Sequence, residues 1–137
     1  MIDDLRKMLE RHEGVRLKAY KDTVGKTTIG VGRNLDDRGI TRAEAFWLLD
    51  NDIARVLVEL DEALPWWRTL NEARMVALAD MCFQLGLAGL LEFQVTLKAL
   101  QFGDYQGAAW AVMQSLYAKQ TPNRAREIAE VLRSGRL

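Results

Sequence analysis

Glu13-Gly14-Val15-Arg16-Leu17-Lys18-Ala19-Tyr20-Lys21-Asp22-Thr23-Val24-Gly25-Lys26-Thr27-Thr28-Ile29-Gly30-Val31-Gly32 is where an otherwise helical chain changes its period. Before it, Ile2, Leu5, Met8 and Leu9 recur at helical spacing. They predict an amphipathic helix over 3–12, with Asp3 as its N-cap and Gly14 as its stop. Within it, Val15, Leu17 and Ala19 alternate with Arg16, Lys18 and Tyr20, a two-residue period that reads as a strand. Asp22 to Lys26 is a turn around Gly25, and Thr27 to Val31 is the returning strand, so the stretch predicts a hairpin. Gly30 and Gly32 weaken a strand, so they mark either a bend or a close approach of a ligand.

Outward from the hairpin, Asp36-Asp37-Arg38-Gly39 is a loop, and Thr41-Arg42-Ala43-Glu44 is a capping box. Ala45, Leu48, Leu49, Ile53, Val56, Leu57 and Leu60 then hold a helical stripe to Ala63, and Pro65 ends it. Asn71 caps a helix through Phe83, which Gly86 and Gly89 are expected to break. Two further helices, Phe93 to Phe102 and Tyr105 to Met113, are separated by Gly103, with Asp104 capping the second. Thr121-Pro122 is a start signal for a last helix to Leu132, which Ser134-Gly135 ends. The expected fold is α+β and mostly helical. It has a small β-hairpin lobe over 13–40, a long connecting helix over 41–63, and a helical lobe over 65–137 that includes the N-terminal helix.

Composition narrows the function. The chain has 137 residues, 49% hydrophobic, with 19 basic and 19 acidic side chains. One core is within reach, and neither a strongly basic nucleic-acid binder nor an acidic disordered chain fits. The charges are unevenly placed. Residues 1–35 carry eight bases against five acids, 36–64 carry three against eight, and 104–137 carry five against three. A single cysteine forms no internal disulfide. No stretch is read as a membrane span, and the acids at Asp3 and Asp4 argue against an ordinary secretory signal.

Few side chains are chemically suggestive. His12 is the one histidine, which suits a solvated helix end better than a metal cluster. Cys82 lies in Leu78-Ala79-Asp80-Met81-Cys82-Phe83 and reads as a small buried hydrophobe. Trp47, Trp66, Trp67 and Trp110 can stack on sugars, although Trp110, between Ala109 and Ala111, is expected in the core. Glu13 and Asp22 stand out. A helix end, one strand and a turn separate them, which can bring two carboxylates face to face. Glycosidic cleavage uses such a pair: one acid protonates the leaving oxygen, and one carboxylate activates water or stabilises the cation.

The blocks Glu13–Thr23 and Thr28–Gly32, then Phe83-Gln84-Leu85-Gly86, then Gln120-Thr121-Pro122-Asn123-Arg124-Ala125 resemble the phage-type lysozymes of glycoside hydrolase family 24. The resemblance implies a two-lobed lysozyme-like fold. It implies hydrolysis of the β-1,4 bond between N-acetylmuramic acid and N-acetylglucosamine in peptidoglycan, without cofactor or metal. It assigns Glu13 as general acid, Asp22 and Thr28 as positioning the attacking water in an inverting reaction, and Arg124 as the arginine that pairs with the acid. Phe83, Gln84, Tyr20, Gly30 and Tyr117 fall at cleft or supporting positions. The implied partner is the bacterial wall, with no nucleic acid, no stable membrane insertion and a monomeric chain. Synthesis in the bacterial cytoplasm and release through a holin follow by family analogy. Arg33 replaces a common histidine, and an Arg33–Asp52 ion pair is expected. Leu116, where an aromatic is common, is expected to alter packing only. Two alternatives are a lysozyme-like fold that binds glycan without cutting it, and a helical interaction module.

Overall fold

The computed structural model describes all of residues 1–137. The chain divides into two compact units, Met1–Leu48 and Leu49–Leu137. The elements in order are α1 (Ile2–Glu13), β1 (Arg16–Lys21), β2 (Thr27–Gly30), β3 (Arg33–Asn34), α2 (Arg42–Ala63), a 3-10 turn (Trp67–Thr69), α3 (Glu72–Leu91), α4 (Gln94–Gln101), α5 (Tyr105–Met113), α6 (Leu116–Gln120) and α7 (Pro122–Ser134).

In the first unit the expected hairpin gains a third strand. β1, β2 and β3 form an antiparallel sheet in that order. Tyr20 stands opposite Thr28 and Lys21 opposite Thr27, with an irregularity between Arg16 and Tyr20. The bend from β2 into β3 passes through Gly30 and Gly32, both at left-handed φ (69° and 68°), which glycine alone adopts readily. α1 begins at Ile2, so Asp3 sits in its first turn rather than at its cap. The stripe of Ile2, Leu5, Met8 and Leu9 is exposed. The capping box forms as read: Thr41 N–H donates to Glu44 Oε1 (3.0 Å) and Glu44 N–H donates to Thr41 Oγ1 (3.1 Å).

Arg33 takes a different partner from the expected one. Its Nη1 donates to Glu44 Oε1 at 2.9 Å and to the Gly39 carbonyl at 3.2 Å, while Asp52 faces Arg55 at 3.7 Å. Glu44 is already fixed by the capping box, close to Arg33, and receives it without further ordering. The Arg33 bond, then the two Thr41 bonds, hold the Glu44 carboxyl down at about 2.

The core lies in the second unit. Every buried apolar side chain falls between Val56 and Leu132. Leu60, Leu78, Met81, Leu90, Leu100, Val112 and Leu132 are sealed, and α7 packs on α3, α5 and α6. Trp67 is 1% exposed, with its indole N–H on Asp61 Oδ1 at 2.7 Å. Cys82 is buried, and that burial pushes its thiol up. Asn71 caps α3 by accepting from Arg74 N–H. Asn71 and Arg74 also donate to the Gly135, Leu132 and Arg133 carbonyls, which ties the start of α3 to the end of α7.

Four expectations give way here. Gly86 kinks α3 at φ 74° but Gly89 stays helical, so α3 runs on to Leu91. By length and composition α3 could cross a membrane, contrary to the sequence reading; Ala73, Ala77, Leu78, Met81, Cys82 and Leu90 are instead buried against the helical core. Thr121 makes no side-chain cap: its hydroxyl is turned back toward the unforeseen α6, where it donates to the Tyr117 carbonyl (3.1 Å). Trp110 is 66% exposed, so it does not pack in the core, and Leu116 is equally exposed. Ala108, Ala109 and Val112 form the buried face of α5, and Trp110 falls on its other side.

Candidate active site

The β1–β2 turn is built on the Asp22 carboxylate. Asp22 Oδ1 accepts from Val24 N–H (2.9 Å) and Lys26 N–H (2.8 Å), the local pattern by which aspartate stabilises a turn. The Gly25 N–H donates to the Asp22 carbonyl, and Gly25 takes a left-handed φ. One carboxylate oxygen is thus committed to the backbone. Oδ2 makes no hydrogen bond within the protein.

Thr28 shares an anchor with this turn. Asp22 N–H donates to the Lys26 carbonyl at 2.9 Å, and Thr28 Oγ1–H donates to the same carbonyl at 3.0 Å. Thr28 is the one fully buried residue of the first unit, at 4% exposed. Its hydroxyl proton is spent on Lys26, so the oxygen is left as an acceptor. The turn therefore presents two acceptors, Asp22 Oδ2 and Thr28 Oγ1, both fixed through one carbonyl. A water that donates to both keeps its lone pairs for attack.

Glu13 is the last residue of α1, where Gly14 N–H closes on the Glu10 carbonyl and the chain turns at φ 73°. Its carboxyl lies over Gly32. A Cβ on Gly32 would come within 2.9 Å of Glu13 Cδ and Oε2. Of the two readings of these glycines the structure shows the bend; the neighbour of Gly32 is the protein's own Glu13, and a Cβ on Gly30 would meet nothing within 4 Å. Tyr20 is half-buried and carries the Arg16 guanidinium over its ring at 4.3 Å. Within the first unit, Asp22 and Thr28 share the Lys26 carbonyl, Tyr20 stands opposite Thr28 and Arg16 opposite Gly30, and Glu13 lies against Gly32.

The second unit holds the other four expected residues. Arg124 Nε donates to Asp80 Oδ1 at 2.9 Å. Both line a groove of about 610 Å³ with Phe83, Ile53, Met75 and Ala79. Asp80 escaped the sequence reading, although it lies one helical turn before Gln84 on the same face of α3. Tyr117 is 5% exposed and meets Phe93 edge to face at 6.0 Å. It lines a second groove, about 640 Å³, with Trp110, Leu116 and Val95.

The family model for phage lysozyme matches residues 10–127, which takes in every one of these side chains. The chain belongs to the phage lysozyme family. It is 32% identical to the pre-baseplate central spike protein Gp5 of Enterobacteria phage T4 over 95% of its own length, but covers only 28% of that longer protein. It is 29% identical to the probable T4-type lysozyme 1 of Dictyostelium discoideum, covering all of this chain and 98% of the relative. It is 33% identical to the endolysin of Acyrthosiphon pisum secondary endosymbiont phage 1, over 85% of this chain and 80% of the relative. In this member of the phage lysozyme family the small sheet is three short strands, and the turn from Asp22 to Thr28 joins the first two.

Proposed function

We propose that this member of the phage lysozyme family, a peptidoglycan hydrolase acting in cell-wall lysis, cuts the muramic acid–glucosamine β-1,4 bond with inversion. Glu13 is the general acid and protonates the leaving oxygen. Asp22 Oδ2 and Thr28 Oγ1 accept the two protons of the attacking water, and Asp22 takes one of them as the bond to the anomeric carbon forms. Arg124, which the resemblance assigns as the acid's partner, is held by Asp80 within the second unit. The observation that carries this reading is the divided carboxylate of Asp22. One oxygen is locked to the turn, and the other is free beside a threonine held on the same carbonyl.

The acidic wall polymer meets the base-rich first segment of a neutral chain. The chain works as a monomer, is made in the bacterial cytoplasm, and reaches the wall through membrane lesions opened by a separate holin-type protein. The anomeric configuration of products from defined muropeptide, followed by NMR from the first minutes, tests the mechanism. Initial α-products are expected, and initial β-products overturn inversion. Glu13→Gln should abolish clearance of wall suspensions. Equal clearance by parent and variant removes Glu13 from the acid role, and clearance by neither leaves the non-cutting glycan binder.

A further inference from the structure

The Asp36-Asp37 loop, which the proposed mechanism does not use, meets the Asp22 turn at one peptide unit. The Lys26 carbonyl and the Thr27 N–H are the two ends of the same planar group. The carbonyl end accepts from Asp22 N–H at 2.9 Å and from Thr28 Oγ1–H at 3.0 Å. The N–H end donates to Asp36 Oδ2 at 2.8 Å. β3 stops at Asn34, and the Leu35 N–H adds one more ladder bond, to the Thr27 carbonyl at 2.7 Å. The ladder ends there, and the Asp36 carboxylate serves the Thr27 N–H in place of a strand carbonyl.

The loop that carries Asp36 is itself fixed. Asp37 N–H donates to Asn34 Oδ1 and Asn34 Nδ2 donates to Asp37 Oδ2, both at 2.9 Å. Lys26 Nζ reaches Asp37 Oδ1 at 3.1 Å, but that pair is open to solvent on both sides and contributes little. Asp36 acts on the backbone instead. The Thr27 N–H is the main cause holding the Asp36 carboxyl below its usual range, so near neutral pH Asp36 is an ionised acceptor.

We infer that Asp36 is a positioning residue for the hydrolytic water. By holding the Thr27 N–H it fixes the tilt of the 26–27 peptide plane, and with it the carbonyl that the Asp22 backbone and the Thr28 hydroxyl both use. With Asp36 removed, the direction of that carbonyl is set only by the two groups that depend on it. The Asp22 Oδ1 bonds to Val24 and Lys26 N–H lie on the other side of Lys26, so the turn itself stays folded. Thr28 Oγ1 and Asp22 Oδ2 then lose their common reference, and an error of about 1 Å in such a site can lower a rate about 100-fold. This rests on the reading in which Asp22 and Thr28 hold the attacking water.

Steady-state kinetics on purified wall test it, with melting temperatures measured alongside. Asp104 is the control, because it also accepts one backbone N–H, from Gly107 at 2.9 Å, and lies in the second unit outside the proposed chemistry. Asp36→Ala and Asp104→Ala should both melt lower, by roughly 2–6 °C. Only Asp36→Ala should lose kcat, by about 5- to 20-fold, with KM within about twofold of the parent. Asp36→Asn keeps an acceptor oxygen for Thr27 and should return kcat to within about twofold of the parent. Equal kcat in Asp36→Ala and Asp104→Ala overturns the inference. So does a rise in KM alone, and so does an Asp36→Asn as slow as Asp36→Ala. If Asp22→Asn turns over at the parent rate, the water-holding pair fails and this inference with it. If Asp22→Asn is slow while Asp36→Ala is not, the inference alone fails.

Discussion

Replacing Gly32 by alanine separates backbone strain from displacement of the proposed acid. Gly32 has φ 68°, where an L side chain costs roughly 1–2 kcal/mol. In a chain of 137 residues that lowers the melting temperature by roughly 3–8 °C. The added Cβ also lands 2.9 Å from Glu13 Cδ and Oε2 and 3.1 Å from Cγ. Those atoms are the far end of an exposed, flexible side chain, so the clash is relieved by moving the carboxyl, at little cost in stability. The carboxyl must retreat by several tenths of an ångström or more, and a misplacement of about 1 Å can lower a rate about 100-fold. Gly103→Ala is the control: φ is 81°, and its Cβ meets nothing within 4 Å. Both variants should lose similar stability by thermal melting. Only Gly32→Ala should lose kcat, by about 10- to 100-fold, measured as reducing ends released from purified wall. Equal kcat in the two variants would refute the argument that Gly32 seats Glu13.

Three further outcomes follow from the same geometry. Asp22→Asn retains an Oδ1 acceptor for Val24 and Lys26, so it should melt near the parent while losing at least about 100-fold in kcat; Asp22→Ala should lose the activity and also about 1–2 kcal/mol of stability by denaturant titration. Trp67→Ala should destabilise by about 3–5 kcal/mol and Trp110→Ala by no more than about 0.5, read from urea midpoints. Glu44 is held near 2 from a usual 4.5, so it binds its proton more readily in the unfolded chain. Its stabilising contribution is whole above pH 4.5 and fades as pH falls toward 2, and an acid titration of Glu44→Gln should lack that slope.

The sequence was most legible where the determinants are local. The capping box at Thr41, the Asn71 and Asp104 caps and the stop at Gly14 each depend on residues within four positions, and each forms. Trp110 was misread because flanking alanines identify a helix but not the face of it that packs; that depends on where α7 and α4 lie. The Arg33 partner was misread for a related reason. The Arg33 side chain meets the carboxylate that the capping box holds in place, Glu44, and the sequence spacing does not reveal that. α6 escaped because five residues carry too little periodicity to register. Its formation diverts the Thr121 hydroxyl from the cap it was expected to make.

The same distinction explains why residues 13–32 suggest a chemistry by themselves, while the helical unit's blocks at 83–86 and 120–125 speak only through the resemblance. Asp22 is oriented by backbone two and four residues away, and Thr28 by a carbonyl two residues away. Glu13 needs only a helix end and one glycine nineteen positions on. Chemistry of that kind must be written as a contiguous signature, because any substitution in the turn moves the reacting groups directly. Tyr117 is placed by α6 and α7 and by Phe93, a neighbour distant in the chain, so nothing close to it in sequence marks its burial. Its hydroxyl, buried without a hydrogen-bond partner, becomes visible as such only when the core has closed around it. The prediction is that substitutions around Asp22 that keep the turn's hydrogen bonds act on kcat and leave the melting temperature near that of the parent. Wall-hydrolysis kinetics in which such substitutions raise KM and leave kcat unchanged would show that the turn does not carry the chemistry.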